Sequence, residues 1–152
     1  MVRKATVHDV SAIHKILSYY VKQDILLPRS LADLYEHIRD FYVEESDEED
    51  GNLFGICSLI VSWENLGEIR SLSVIENVQN RGIGTKLVKK CLEEAVELGL
   101  SRVFALTLRK KFFADLGFEE IEKALLPHKI WADCIKCPKF PNCDEIAMIT
   151  SV

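Results

Sequence analysis

The most constraining stretch of this chain runs from Glu68 to Leu108, where a strand, a glycine-containing loop, an amphipathic helix and a second strand follow one another. EIRSLSVI at 68–75 alternates, placing Glu68, Arg70, Leu72 and Val74 on one face and Ile69, Ser71 and Ser73 on the other. The loop ENVQNRGIGT opens into TKLVKKCLEEAVELG at 85–99. There Leu87, Val88, Cys91, Leu92 and Ala95 make one apolar stripe, and Gly99 is placed to end the helix. RVFALTL at 102–108 reads as the next strand. Two strands joined through a helix form a parallel pair, and the crossover is expected to be right-handed.

The flanks fill in the rest. HDVSAIHKILSYYV at 8–21 carries Val10, Ile13, Ile16, Leu17 and Tyr20 at helical spacing, with Thr6 as an N-cap. Ser30 is placed to cap a second short helix, SLADLYEHI, after the helix-breaking Pro28. FYVEE at 41–45 and NLFGICSLIVSW at 52–63 read as strands, the second with a nearly continuous apolar run that suits a central position. The first runs into an acidic stretch, residues 44–50 holding Glu44, Glu45, Asp47, Glu48, Glu49 and Asp50, read as a solvated turn ending in Asp50-Gly51. KKFFADLG is a short helix stopped by Gly117, FEEI a short strand, and EIAMI a strand in the tail. The expectation is a mixed α/β (α+β) fold, a mostly antiparallel sheet of about six to seven strands flanked by helices. At 152 residues, the chain reads as a single domain over 1–152.

Composition narrows the function. Nineteen Lys and Arg against 24 Asp and Glu give a formal charge of −5, which disfavours nucleic acid as a partner while leaving room for a local basic pocket. No apolar run reaches the ~20 residues of a membrane span, so no membrane partner is expected. No apolar stretch follows the basic start, so a secretory leader is not expected. Five cysteines, an odd number, fit a reducing cytoplasm, with Cys57 and Cys91 in apolar runs as small buried hydrophobes. Cys134, Cys137 and Cys143, with His128, have a spacing that zinc tolerates, but the paired pattern of structural zinc sites is incomplete and the expectation is no metal.

The loop between strand and helix carries the chemistry. Gly82 and Gly84 permit a tight turn and close backbone approach, and the first helix amides point outward at the positive end of the dipole. Such a site takes phosphate. The loop lacks the third glycine of a dinucleotide fingerprint and the Gly-Lys-Ser/Thr of a Walker loop. On its own it fits an ordinary strand-to-helix turn better than a phosphate site.

Gln79-Asn80-Arg81-Gly82-Ile83-Gly84, following Leu72-Ser73-Val74, resembles the acetyl-CoA motif of the Gcn5-related N-acetyltransferases, Q/R-x-x-G-x-G/A. The run Phe112-Phe113-Ala114-Asp115-Leu116-Gly117-Phe118 is similar to a later family segment, and the order of elements matches over nearly the whole chain. Leu26-Leu27-Pro28-Arg29-Ser30, the run from Trp63 to Leu72, Phe104-Ala105-Leu106-Thr107 and the tail from Leu126 to Glu145 look like the short bacterial N-acetylglutamate synthase branch.

The resemblance implies direct acetyl transfer from acetyl-CoA to a small acceptor amine, L-glutamate in arginine biosynthesis, in the cytoplasm, with room for a homodimer. It implies a sheet splayed between the strands 68–75 and 102–108. The cofactor-binding residues would be Leu72, Ser73, Val74, Gln79, Asn80, Arg81, Gly82, Ile83, Gly84 and Thr85, with the main chain of Leu72 and Val74 bonding the pantetheine arm and the amides from Arg81 to Thr85 holding the pyrophosphate. Glu68 is the candidate general base, with Glu64 and Glu145 as alternates; the competing role for Glu68 is an ion pair with Arg70. A family tyrosine that donates a proton is replaced here by Phe113, so the general acid is unassigned; Thr107 is one alternative. Arg29 and Arg70, helped by Ser30 and Ser71, are the candidates for holding the acceptor carboxylates, because a guanidinium matches a carboxylate with two parallel N–H bonds. Lys110 and Lys111 read as surface lysines. Acceptors other than glutamate, or an acyl-CoA-binding module without catalysis, are the other readings.

Overall fold

The computed structural model describes residues 1–23, 28–48, 50–127 and 145–152. The chain forms two compact units, Met1–Leu59 with Ser71–Cys91, and Ile60–Arg70 with Leu92–Val152.

The elements follow the hydrophobic pattern closely. They are β1 (Val2–Lys4), α1 (Val10–Lys22), α2 (Leu31–Glu36), β2 (Phe41–Glu45), β3 (Leu53–Trp63), β4 (Leu66–Val74), α3 (Ile83–Glu97), β5 (Arg102–Thr107), α4 (Lys110–Asp115), β6 (Glu119–Ile121) and β7 (Ile146–Ser151). Short 3-10 turns add to these, among them Val7–Asp9 before α1 and Glu76–Val78 after β4. The strands make one seven-stranded sheet in the order β1-β2-β3-β4-β5-β7-β6. β1 on β2, β2 on β3, β5 on β7 and β6 on β7 are antiparallel, while β4 on β5 is the parallel pair that the crossover through α3 requires. No helix among the described residues is long and apolar enough to cross a membrane.

In the first unit, α1 presents Val10, Ile13, Ile16, Leu17 and Tyr20, at its 3.6-residue period, to Leu34, Ile38, Phe41, Val43, Leu53 and Ile56. Its entry is fixed by Asp9, whose carboxylate accepts the Thr6 amide at 2.7 Å and both terminal nitrogens of Arg3 at 2.8 Å. That bond with Arg3 holds the Asp9 carboxyl below its ordinary range despite burial. The expected Asp50-Gly51 turn closes with the Asp50 carboxylate accepting the Asn52 amide at 3.0 Å and Gly51 at φ +73°. In the second unit Leu66, Phe104, Leu126 and Ala147 form a core with Leu106, Ile121 and Ile149 against it.

Two departures from the sequence pattern bear on the site. α3 starts at Ile83 rather than 85, so Gly84 and Thr85 belong to its first turn. In β4, Ser71 has φ +58°, a left-handed conformation costing roughly 1–2 kcal/mol for a residue with a Cβ. The simple alternation of faces expected over 68–75 does not carry through that point. The parallel register runs from Leu66↔Arg102 to Glu68↔Phe104, while β4 itself continues to Val74.

Candidate active site

The loop into α3 is shaped by two left-handed residues, Asn80 at φ +67° and Gly82 at φ +81°. Asparagine tolerates that region and glycine occupies it without cost. The Gly82 carbonyl accepts the Lys86 amide at 3.1 Å, the first bond of the helix. The amides of Ile83, Gly84 and Thr85 therefore precede the helical ladder and point out of its N-terminus. A Cβ built on Gly82 meets no atom within 4 Å, so the turn faces open space on that side. An anionic pyrophosphate fits this donor set: backbone N–H groups, a helix dipole and the exposed Arg81 beside them.

The position of α3 over β3 is also set by a glycine. A Cβ at Gly55 would lie 3.0 Å from Leu87 Cδ1, 3.1 Å from Ile83 Cγ2 and 3.1 Å from the Ser73 carbonyl oxygen. The helix start thus approaches the sheet only because position 55 has no side chain. Gln79, which the motif assigns to the cofactor, turns its side chain back: Nε2 donates to the Val74 carbonyl at 3.1 Å and to Tyr20 Oη at 3.1 Å.

Arg29 and Ser71 meet in the first unit. Arg29 Nε donates to Asp33 Oδ2 at 2.6 Å, Nη1 donates to Ser71 Oγ at 3.3 Å, and the guanidinium lies 5.2 Å from the centre of the Phe41 ring. Its side chain is only 15% exposed, so it is a fixed cation and not a loose charge after Pro28. Two of its five N–H donors are used by these partners. Ser30, paired with Arg29 in the sequence reading as a helper donor, also caps α2: its Oγ accepts the Asp33 amide at 3.0 Å.

Glu68 and Arg70 meet in the second unit. Arg70 Nε donates to Glu68 Oε1 at 2.8 Å; the carboxylate is buried and the guanidinium about one-third exposed. The ion pair weighed against a catalytic Glu68 is thus formed, and it supplies the counter-charge without which a carboxylate would not be buried. Of the alternates, Glu64 is exposed and Glu145 half-buried. Thr107 is buried and its Oγ1 accepts the Arg109 amide at 2.8 Å. Phe113 is buried edge-on between Phe112 and Phe118, ring centres 5.1 and 5.0 Å away, as a packing residue. Lys110 and Lys111 pair on the surface with Glu120 and Asp115.

Leu26, Leu27, His128, Cys134, Cys137 and Cys143 lie outside the described residues, and with them the zinc question. Among the described residues no group of three or more His, Cys, Asp or Glu is arranged to hold a metal. Two contacts escape the sequence reading. Tyr20, placed in the core by its spacing, sends its hydroxyl to the Val74 carbonyl. Cys57 and Cys91, each assigned to the core separately, have their sulfurs 3.7 Å apart, and burial pushes the Cys57 thiol well up. No local pattern announces either pairing, since each joins residues 34 or more positions apart.

Residues 8–118 match the acetyltransferase (GNAT) family. An uncharacterized N-acetyltransferase of Chlorobaculum tepidum is 44% identical over 151 residues, covering 99% of this chain and 96% of that protein. An amino-acid acetyltransferase of Mycobacterium tuberculosis is 41% identical over 122 residues, 80% of this chain and 70% of that one. Among solved structures, a Mycobacterium tuberculosis protein in complex with CoA superposes with a TM-score of 0.87 at 32% identity, covering 100% of this chain and 99% of that one. The N-acetylglutamate synthase of Neisseria gonorrhoeae, complexed with coenzyme A and N-acetyl-glutamate, gives 0.87 at 29% identity, with this chain spanning 34% of its length.

Proposed function

Because the chain belongs to the acetyltransferase (GNAT) family and is an acetyl-CoA-dependent N-acetyltransferase with amino-acid acetyltransferases among its relatives, we propose that its acceptor is the α-amine of L-glutamate, with residues 1–152 as one catalytic domain working in cytoplasmic arginine biosynthesis. The observation that carries the acceptor class is Arg29: a largely buried guanidinium, steered by Asp33, Ser71 and Phe41, with further N–H donors on its fork. A fixed cation of this kind suits a carboxylate-bearing acceptor better than a polyamine. The gonococcal N-acetylglutamate synthase, complexed with N-acetyl-glutamate, supports the same choice.

Acetyl-CoA supplies the acetyl thioester. In this reading the Ile83, Gly84 and Thr85 amides, with Asn80, Arg81 and Gly82 shaping the turn, hold the pyrophosphate, and the outward main chain of Leu72 and Val74 bonds the peptide-like pantetheine arm. Arg29, with Ser71, and Arg70 are the candidate partners of the acceptor carboxylates. Glu68 receives the amine proton directly or through one water while the amine nitrogen forms the new N–C bond and the C–S bond breaks, releasing the thiolate. Phe113 cannot return a proton to that thiolate, so in this reading the proton comes from solvent or from another hydroxyl.

The test is release of free thiol from acetyl-CoA across a panel of amino acids and polyamines. Glutamate is expected to give the highest kcat/KM. Faster acetylation of spermidine or of a peptide would remove glutamate as the acceptor and leave the family activity standing.

A further inference from the structure

A carbonyl oxygen has two lone pairs, and at Val74 two side chains claim them. Tyr20 Oη donates to this oxygen, and Gln79 Nε2 donates to it at 3.1 Å while also lying 3.1 Å from Tyr20 Oη. The three groups form a closed triangle drawn from α1, the end of β4 and the loop into α3. Tyr20 is well placed to hold it. It is a buried member of the core formed by Val10, Ile13 and Leu17, and its neighbour Tyr19 makes a second tie, donating to Glu76 Oε1 at 2.5 Å.

The direction of the Val74 carbonyl follows from the sheet. The Ile75 amide donates to the Phe54 carbonyl at 2.9 Å, so it faces β3. A trans peptide then sends the Val74 carbonyl to the opposite side of β4, and two-residue alternation puts the Leu72 carbonyl and the Val74 amide on that side as well. This is the main-chain edge assigned above to the pantetheine arm, and the inference rests on that assignment. A peptide-like arm needs one acceptor and one donor from such an edge. With the carbonyls of both Leu72 and Val74 open, two registers two residues apart would compete.

We propose that Tyr20 is a positioning residue for the acetyl donor: with Gln79 it closes the Val74 carbonyl, leaving the Leu72 carbonyl and the Val74 amide to fix one register of the arm. The residue is not catalytic, since it touches the strand and not the reacting atoms. Its effect falls on donor affinity, because the strand edge and not the acceptor residues is what it shapes.

Tyr20→Phe keeps the ring in the core and removes only the hydroxyl. The expected result is a rise in KM for acetyl-CoA of about three- to tenfold, the net worth of one neutral hydrogen bond, with kcat and the KM for the acceptor within twofold of wild type. S-acetyl-pantetheine, which has the arm without the pyrophosphate, should lose kcat/KM by the same factor. Tyr19→Phe, which removes the neighbouring tie alone, should leave both donors unaffected. Should Tyr20→Phe fail to fold, Gln79→Leu opens the same carbonyl from the solvent side and must give the same split. An unmoved acetyl-CoA KM, or a loss seen with acetyl-CoA but not with S-acetyl-pantetheine, overturns the proposal. Wild-type protein that binds no CoA by calorimetry overturns the donor placement itself, whereas wild-type binding with an unmoved Tyr20→Phe overturns this inference alone.

Discussion

Replacing Gly82 by valine tests the cofactor loop more sharply than any charge change, because the structure separates its two consequences. Gly82 sits at φ +81°, and a Cβ there meets no protein atom within 4 Å. The cost to the unliganded fold is therefore backbone strain without a clash, roughly 1–2 kcal/mol and toward the upper end for a β-branched residue. At ~2–4 °C per kcal/mol for a chain of this size, the variant alone should melt ~2–8 °C lower. Acetyl-CoA at 100 times its Kd should stabilise wild type by ~2.7 kcal/mol, or ~5–11 °C. In Gly82→Val a branched side chain enters the open space at the turn where the pyrophosphate is proposed to lie, and that ligand-induced shift should vanish. Gly82→Asn supplies the control: asparagine tolerates left-handed backbone, so its unliganded melting point should stay near wild type while its side chain still projects into the open space at the turn. Differential scanning fluorimetry with and without acetyl-CoA reads both numbers. A full ligand shift retained in Gly82→Val would refute the assignment of the pyrophosphate to this loop.

Arg29→Ala should raise the KM for glutamate roughly tenfold to 150-fold, the range for losing a charge-assisted bond, while the KM for acetyl-CoA moves less than threefold; initial-rate kinetics with each substrate varied checks the split. Gly55→Ala should lower both the melting temperature and the affinity for CoA, since the new methyl group must displace Leu87, Ile83 or the Ser73 carbonyl and so shift the start of α3; calorimetric titration with CoA measures the second effect. Asp9 carries the pH prediction. Its carboxyl is held below its ordinary value by Arg3, so the stability it contributes is complete above that ordinary value and is lost as pH falls through the lower native one. Asp9→Asn should cost about 1.5–3 kcal/mol at pH 7 and flatten the acid limb of the stability profile, followed by urea unfolding at pH 7 and pH 3.

The fold was legible where burial imposes a period. α1, β2, β3, α3 and β5 fall within two residues of where their apolar spacing puts them, because each buries one face against a core. β1 was not legible: Val2–Lys4 is three residues long, too short for alternation to show, and it exists as a strand by pairing with β2. The start of α3 was missed by two residues for a backbone reason. Gly82 in the left-handed region directs its carbonyl to Lys86, which brings Ile83 into the helix ahead of the apolar stripe that marks its body. The left-handed turn at Ser71 is similarly invisible in EIRSLSVI, since serine at that position looks like any small strand residue.

The candidate site divides along the same line between backbone and side-chain chemistry. A phosphate loop is legible because its glycines are dictated by backbone geometry, which sequence records one residue at a time. The partners of Arg29, Ser30 and Gln79 are not, because each side chain has several acceptors or donors within reach and the fold decides among them. Ser30 and Arg29 are adjacent in sequence, and both engage Asp33, one through its amide and the other through its carboxylate. That single aspartate therefore sets the start of α2 and the direction of the guanidinium together. Gln79 shows the converse: its motif position is fixed by the loop, yet its amide serves the strand end that the loop leaves behind. Substrate specificity in such a site depends on these cross-chain assignments. A chain can keep every motif residue and still present a different acceptor pocket if Asp33 or Phe41, neither of them in the motif, is changed.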